Sequence, residues 1–173
     1  MAIIIDTNCL AHVFSRKSQE HDNFKPVLDW ILNGKGIIIY GGSKYQNELI
    51  KTPKYIPILR FLKEVNKAYV GNKENIDKLQ KEIEDKRTDA DFDDPHLPAI
   101  VIDTKCRLIC SKDFRAIPFV TDKKYYPNGF HTPIFYTGLR NREILNDNNI
   151  DNRLKPICKL KKAELEKVRA ILN

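Results

Sequence analysis

Four acidic residues stand where their types and spacing could do chemistry: Asp6, Glu48, Asp94 and Asp113. Asp6 ends the apolar run AIII and is followed by Thr7 and Asn8, while Asp113 comes three residues after RLIC, behind Ser111. Each acid has an ordinary structural explanation. Asp6 or Thr7 could cap the helix that CLAHVF begins, and Asp94, ahead of Pro95, could cap the apolar helix that follows it. Asp113 could cap the turn at Phe114, and Glu48 could be a surface helix residue. Together they meet a physical obstacle, because carboxylates at close range raise one another's pKa values. A bound divalent cation removes it, and an all-oxygen set without Cys or His suits Mg2+ or Mn2+.

The elements that must position these acids read as strands separated by helices. Short β-branched runs at residues 2–5, 36–40 and 107–110 do not alternate, as expected of central parallel strands buried on both faces. Apolar residues at helical spacing predict helices over 24–34, 55–71, 97–105 and 161–172. Residues 75–87 carry only Ile76, Leu79 and Ile83 as an apolar stripe, which predicts a solvated, protruding helix. The stretch 121–133 has the proline and Asn-Gly of a loop. Such alternation specifies an α/β fold with a parallel sheet. In open parallel sheets ligands bind outside the carboxyl ends of the strands, so Asp6 and Asp113 should share one edge. Glu48 lies about two turns into the helix after the second strand, and Asp94 opens the apolar helix. Four acids thus head for one crevice.

In these motifs the chain resembles the PIN-domain nucleases, metal-dependent enzymes related in fold to the flap endonucleases. The resemblance rests on IIIDTN with Asp6, YQNELIK with Glu48, DDPHLPAIV with Asp94, and ICSKDF with Ser111 and Asp113, in the family's order over residues 2–118. Within the acidic run Asp89, Asp91, Asp93 and Asp94, the last is preferred because Leu97, Ala99 and Val101 follow it in the family's apolar pattern. Pro98 departs from that pattern, where the family keeps a helix-friendly small residue.

The resemblance implies a three-layer α/β/α fold with a central, mostly parallel sheet. It implies a nuclease core over 1–118, with 119–173 a basic, aromatic-containing extension packing on or beside it. It also implies Mg2+- or Mn2+-dependent hydrolysis of RNA phosphodiesters, leaving a 5′-phosphate and a 3′-hydroxyl. Asp6 and Asp94 are then the primary metal ligands, with Glu48 and Asp113 completing the set directly or through water. Thr7, Asn8 and Ser111 orient those carboxylates, and Asp91 meets the metal through water. Small stand-alone members in bacteria are often VapC-like toxins, whose partners are an antitoxin protein and a second copy forming a homodimer. In them, helices between Glu48 and the third acid form a clip; here that stretch carries Ile56, Leu59, Phe61, Leu62 and Val65, which could equally pack inside. The alternatives are a non-catalytic RNA-binding or protein-interaction module on the same scaffold, and a DNA-directed nuclease.

The chain's net charge of +7 is unevenly distributed: residues 1–113 contribute +1 and residues 114–173 contribute +6. That excess favours a polyanion, and Lys123, Lys124, Arg140 and Arg142 are the expected nucleic-acid contacts. The aromatics among them, Tyr125, Tyr126, Phe130, Phe135 and Tyr136, are expected mostly to cover a sheet edge rather than stack on bases. Cys9, Cys106, Cys110 and Cys158 make no C-x-x-C and read as buried free thiols. His96, in the first turn of its helix, reads as a satisfied packing residue outside the site, and His12, His21 and His131 lack metal spacing. No Ser/His/Asp arrangement or Gly-rich nucleotide loop is present, so covalent catalysis and kinase chemistry fall away. No apolar run approaches a membrane span and no signal-peptide pattern opens the chain, so a cytoplasmic protein with no membrane partner is expected.

Overall fold

The computed structural model describes residues 2–147 and 159–172. Five strands form one parallel sheet: β1 (Ala2–Ile5), β2 (Ile37–Tyr40), β3 (Ala68–Val70), β4 (Leu108–Cys110) and β5 (Ile134–Tyr136). Their spatial order is β3-β2-β1-β4-β5. In the central strand, Ile4 pairs with Ile39 of β2 and with Ile109 of β4. All four β1 residues are buried, as a strand covered on both faces by helices must be. The arrangement is that of a three-layer α/β/α fold.

The helices are α1 (Leu10–Phe14), α2 (His21–Asn33), α3 (Ser43–Lys51), α4 (Ile56–Glu64), α5 (Lys73–Lys86), α6 (His96–Thr104), α7 (Ala116–Val120) and α8 (Lys162–Leu172). The helix predicted over 55–71 is corrected. It ends at Glu64, the chain turns through Asn66 at φ 58°, and the remainder becomes edge strand β3. The helix expected to be solvated and protruding is solvated over most of its surface but does not protrude. α5 lies against α6, with Ile76 and Ile83 fully sequestered. Its three apolar residues form a narrow but sufficient contact stripe.

That packing fixes α3, the carrier of Glu48. Gly42, at φ +80°, leads into α3, and a Cβ there would lie 2.6 Å from Ile76 Cγ2. Asp77 of α5 then accepts from both the Ser43 N–H and the Ser43 hydroxyl at 2.6 Å, which satisfies a donor at the start of α3 from outside the helix. Pro98 also finds its place. With α6 starting at His96, it lies in the first turn, where a backbone N–H has no intrahelical partner to lose.

Residues after 118 supply β5, which pairs with β4, and α8, which packs on α4. Tyr125, Tyr126, Phe135 and Tyr136 are buried. Tyr125 packs on Phe92, and Tyr136 meets Phe24 edge-on. These rings are therefore structural. Of the apolar residues in the α4 stretch, Leu59, Phe61 and Leu62 are buried and Val65 packs half-buried against the core, while Ile56 is half-buried. Cys9, Cys106 and Cys110 are buried free thiols, and Cys158 lies outside the described residues. Among those residues no helix is long and apolar enough to cross a membrane.

Candidate metal centre

The strand order reverses between β1 and β4, and that reversal opens a crevice at the carboxyl end of the sheet. Asp6 leaves β1 at this point, its N–H donating to the Cys110 carbonyl at 2.9 Å, so it stands level with Ser111. The Ser111 hydroxyl donates to Asp6 Oδ2 at 2.8 Å and Asn8 Nδ2 donates to the same oxygen at 2.9 Å. The Asn8 N–H also donates to Oδ1 at 3.4 Å, so Asp6 caps the short 3-10 turn Thr7–Cys9 as well as accepting from Ser111. Asp6 is 3% exposed. Burial raises its pKa, assisted by the charge of Glu48, against the opposing bonds from Ser111 and Asn8.

Glu48 reaches back from α3, where the Thr7 hydroxyl donates to its Oε2 at 2.6 Å. Asp94 precedes α6 and makes no side-chain cap; Pro95 holds the cap position. Its carboxyl is pushed up to about 6 by burial first and then by the charge of Asp6, with Lys44 opposing and Glu48 and Asp113 adding to the rise. Asp6, Glu48 and Asp113 thus lie within charge reach of Asp94, but among the described residues only Glu48, Asp94 and His96 bring ligand atoms within 4.8 Å of one another. Asp113 sits on the outer side. Its Oδ1 accepts from the Arg115 N–H at 2.9 Å, Arg115 Nη2 lies 3.4 Å from Oδ2, and its pKa is lowered accordingly despite some burial. The Ser111 hydroxyl also accepts from the Asp113 N–H at 3.1 Å, so one serine ties the inner acid to the outer turn. A cleft of about 350 Å³ runs past Asp91, Asp93, Asp94, Asp113, Arg115 and Phe119.

No family model, curated protein or solved structure matches the chain. The fold is a small parallel α/β sheet with a Glu/Asp/His cluster at its edge, consistent with a PIN-like fold.

Two residues of the site escaped the sequence reading. His96, expected to be a satisfied packing residue, is fully buried with neither ring nitrogen hydrogen-bonded. Its Nε2 lies 3.9 Å from Glu48 Oε2 and its Nδ1 3.9 Å from Asp94 Oδ1. Burial, assisted by the Lys44 charge, lowers it to about 3, so the ring is neutral at pH 7. Lys44, in the first turn of α3, donates to the Asp93 carbonyl and brings a cation to the rim. Beneath the cluster lies Tyr45, fully buried, donating to the Ile5 carbonyl at 2.5 Å with its ring 6.4 Å from that of His96.

Glu48, Asp94 and His96 each offer a ligand atom within 4.8 Å of the others. A divalent cation fits this set on three counts: the Glu48 charge pushes against that of Asp94, Asp94 is desolvated, and a buried imidazole lacks a partner. Of the expected nucleic-acid contacts, Lys123, Lys124, Arg140 and Arg142 are all exposed. Lys124 is engaged with Asp122 at 3.2 Å and Thr88 Oγ1 at 3.3 Å. Arg140 and Arg142 follow β5 in the short helical segment Leu139–Ile144.

Proposed function

We propose that this chain is a Mg2+- or Mn2+-dependent endoribonuclease of the PIN type, acting as the toxin of a toxin–antitoxin pair. The observation that supports the activity is the cluster of Glu48, Asp94 and His96 beside the β1/β4 switch point, with Asp6 and Asp113 near enough for their charges to raise the Asp94 carboxyl. The toxin setting rests on the resemblance alone, and a small antitoxin gene beside this one is its test.

Asp6, Glu48 and Asp94 would hold the cation, with Asp113 and Asp91 at its outer side. When bound, such a cation neutralises the phosphodiester's developing charge and makes water acidic enough to attack at neutral pH. The protein's own share is positioning. Ser111 and Asn8 aim the inner carboxylate, Thr7 aims Glu48, and Tyr45 fixes the floor through the Ile5 carbonyl. Lys44 and Arg115 stand at the rim, where the phosphate backbone of a single strand would enter.

The test is incubation of purified protein with single-stranded RNA and with DNA, in Mg2+, Mn2+ or chelator, beside Asp6→Asn and Asp94→Asn. RNA cleavage that needs the metal and disappears in both variants is the expected result. Cleavage surviving in Asp6→Asn points to another active site. Metal-dependent cleavage of DNA alone makes the chain a DNA nuclease, and RNA binding without cleavage makes it a binding module.

A further inference from the structure

We propose that His96 is a nitrogen ligand to the cation, making this a mixed oxygen–nitrogen centre that favours first-row divalent ions over Mg2+, Co2+ more strongly than Mn2+. The inference rests on the reading of the cluster as a metal centre and says which metal that centre takes. A buried side-chain polar atom nearly always has a hydrogen-bond partner. His96 has two such atoms, neither partnered, in a side chain fully shielded from solvent. Both face carboxylates at 3.9 Å, too long for a hydrogen bond and too short for indifference.

A histidine serving only as filler is easily replaced by an apolar residue at such a position, where the neighbours Leu97, Pro98, Ala99, Ile100 and Val101 are themselves all buried. An imidazole ligand accounts for the unpartnered nitrogens, with one lone pair on the cation and the other ring N–H left to a neighbouring carboxylate. The donor set then speaks to selectivity. Mg2+ prefers oxygen ligands and keeps much of its water, whereas imidazole nitrogen favours the later first-row divalent ions. Two carboxylates and one imidazole, with their ligand atoms within 4.8 Å of one another, offer the latter a tridentate seat.

The experiment uses the full chain, stripped with chelator and titrated calorimetrically with Mg2+, Mn2+ and Co2+, beside His96→Gln. The wild type should bind Mn2+ and Co2+ more tightly than Mg2+. In the variant Co2+ affinity should fall by at least about tenfold, the loss typical even of a residue that only supports a ligand, while Mg2+ affinity barely moves. Pulsed electron paramagnetic resonance of the Mn2+-loaded wild type should show coupling to one imidazole nitrogen. This spectrum needs no variant and holds even if His96→Gln folds poorly. Mn2+ bound without nitrogen coupling, or equal losses for Mg2+ and Co2+ in a folded variant, would overturn the nitrogen ligand and leave the nuclease reading standing. Absence of binding by any of the three ions would overturn both.

Discussion

The inner and outer halves of the cleft solve the same electrostatic problem in opposite ways. Inside, Asp6 and Asp94 are desolvated and their pKa values rise. Outside, Asp113 has its own counter-charge in Arg115, and its pKa falls. The side chain of Arg115 is 91% exposed, so this pair is tethered at the surface rather than locked, and surface pairs are worth little. The difference teaches which acids are waiting for something. The outer carboxylate is neutralised by the chain itself, whereas the inner set has donors to aim it and too little positive charge to balance it.

The sharpest way to break this contrast is Asp94→Asn. Activity should fall below detection, yet the chelator-treated protein should become more stable, because the substitution removes one charge from a crowded, desolvated group. In the unfolded chain this carboxyl loses its proton near 3.8, and in the folded, metal-free protein only near 6. Between those values the folded state binds more protons, so rising pH costs stability. The gain from Asp94→Asn is therefore fully present at pH 7 and vanishes as pH falls from about 6 to about 4. Discounted for partial exposure it is about 1–2 kcal/mol, or about 2–8 °C in melting temperature. Calorimetry of both proteins in chelator at pH 4.5 and 7 checks it; a variant less stable than wild type at pH 7 would mean that Asp94 already has a counter-charge.

Next in size is Ser111→Ala, which removes the donor to Asp6 and the acceptor for the Asp113 N–H. Metal affinity or turnover should drop about 10–100-fold. Stability should fall by about 1–3 kcal/mol, the cost of unsatisfied buried groups, measurable by urea titration. Asp113→Asn, at the compensated outer half, should cost about tenfold, the low end for a group that supports rather than holds a metal. An effect equal to that of Asp94→Asn would erase the distinction between the halves.

How much of this was legible follows the same physics. The three central strands announce themselves because strands buried on both faces must be apolar throughout, as AIII, IIIY and LIC are. Their carboxyl ends then locate Asp6 and Asp113 without further information. β3 and β5 are three-residue edge strands, and Ala68–Val70 continues the apolar rhythm of α4 closely enough to read as its last turn. Where α5 lies is decided by a tertiary contact with α6 and the glycines that admit Ile76, which no periodicity encodes. His96 had a signal that was available but undervalued. In HLPAIV, apolar all round, the first residue of a helix buried on every side is buried as well, and a buried histidine needs a partner.

The smallest expected effect concerns the basic surface, where the comparison is between two pairs of cations. Arg140 and Arg142 are exposed, whereas Lys124 already has Asp122 and Thr88 as partners. A cation that leaves a protein carboxylate for a phosphate exchanges one ion pair for another and gains little. An exposed arginine that meets a phosphate gains the release of a counterion from the nucleic acid. Each phosphate neutralised on a single strand adds about 0.7 to the slope of log affinity against log salt. Arg140→Ala with Arg142→Ala should therefore flatten the slope for single-stranded RNA by about 1–1.5, and Lys123→Ala with Lys124→Ala by distinctly less. Fluorescence anisotropy between 50 and 300 mM salt, in chelator to prevent cleavage, reads both. Slopes unchanged in both variants would take residues 123–142 off the RNA path and leave Lys44 and Arg115 as the cations that meet the strand.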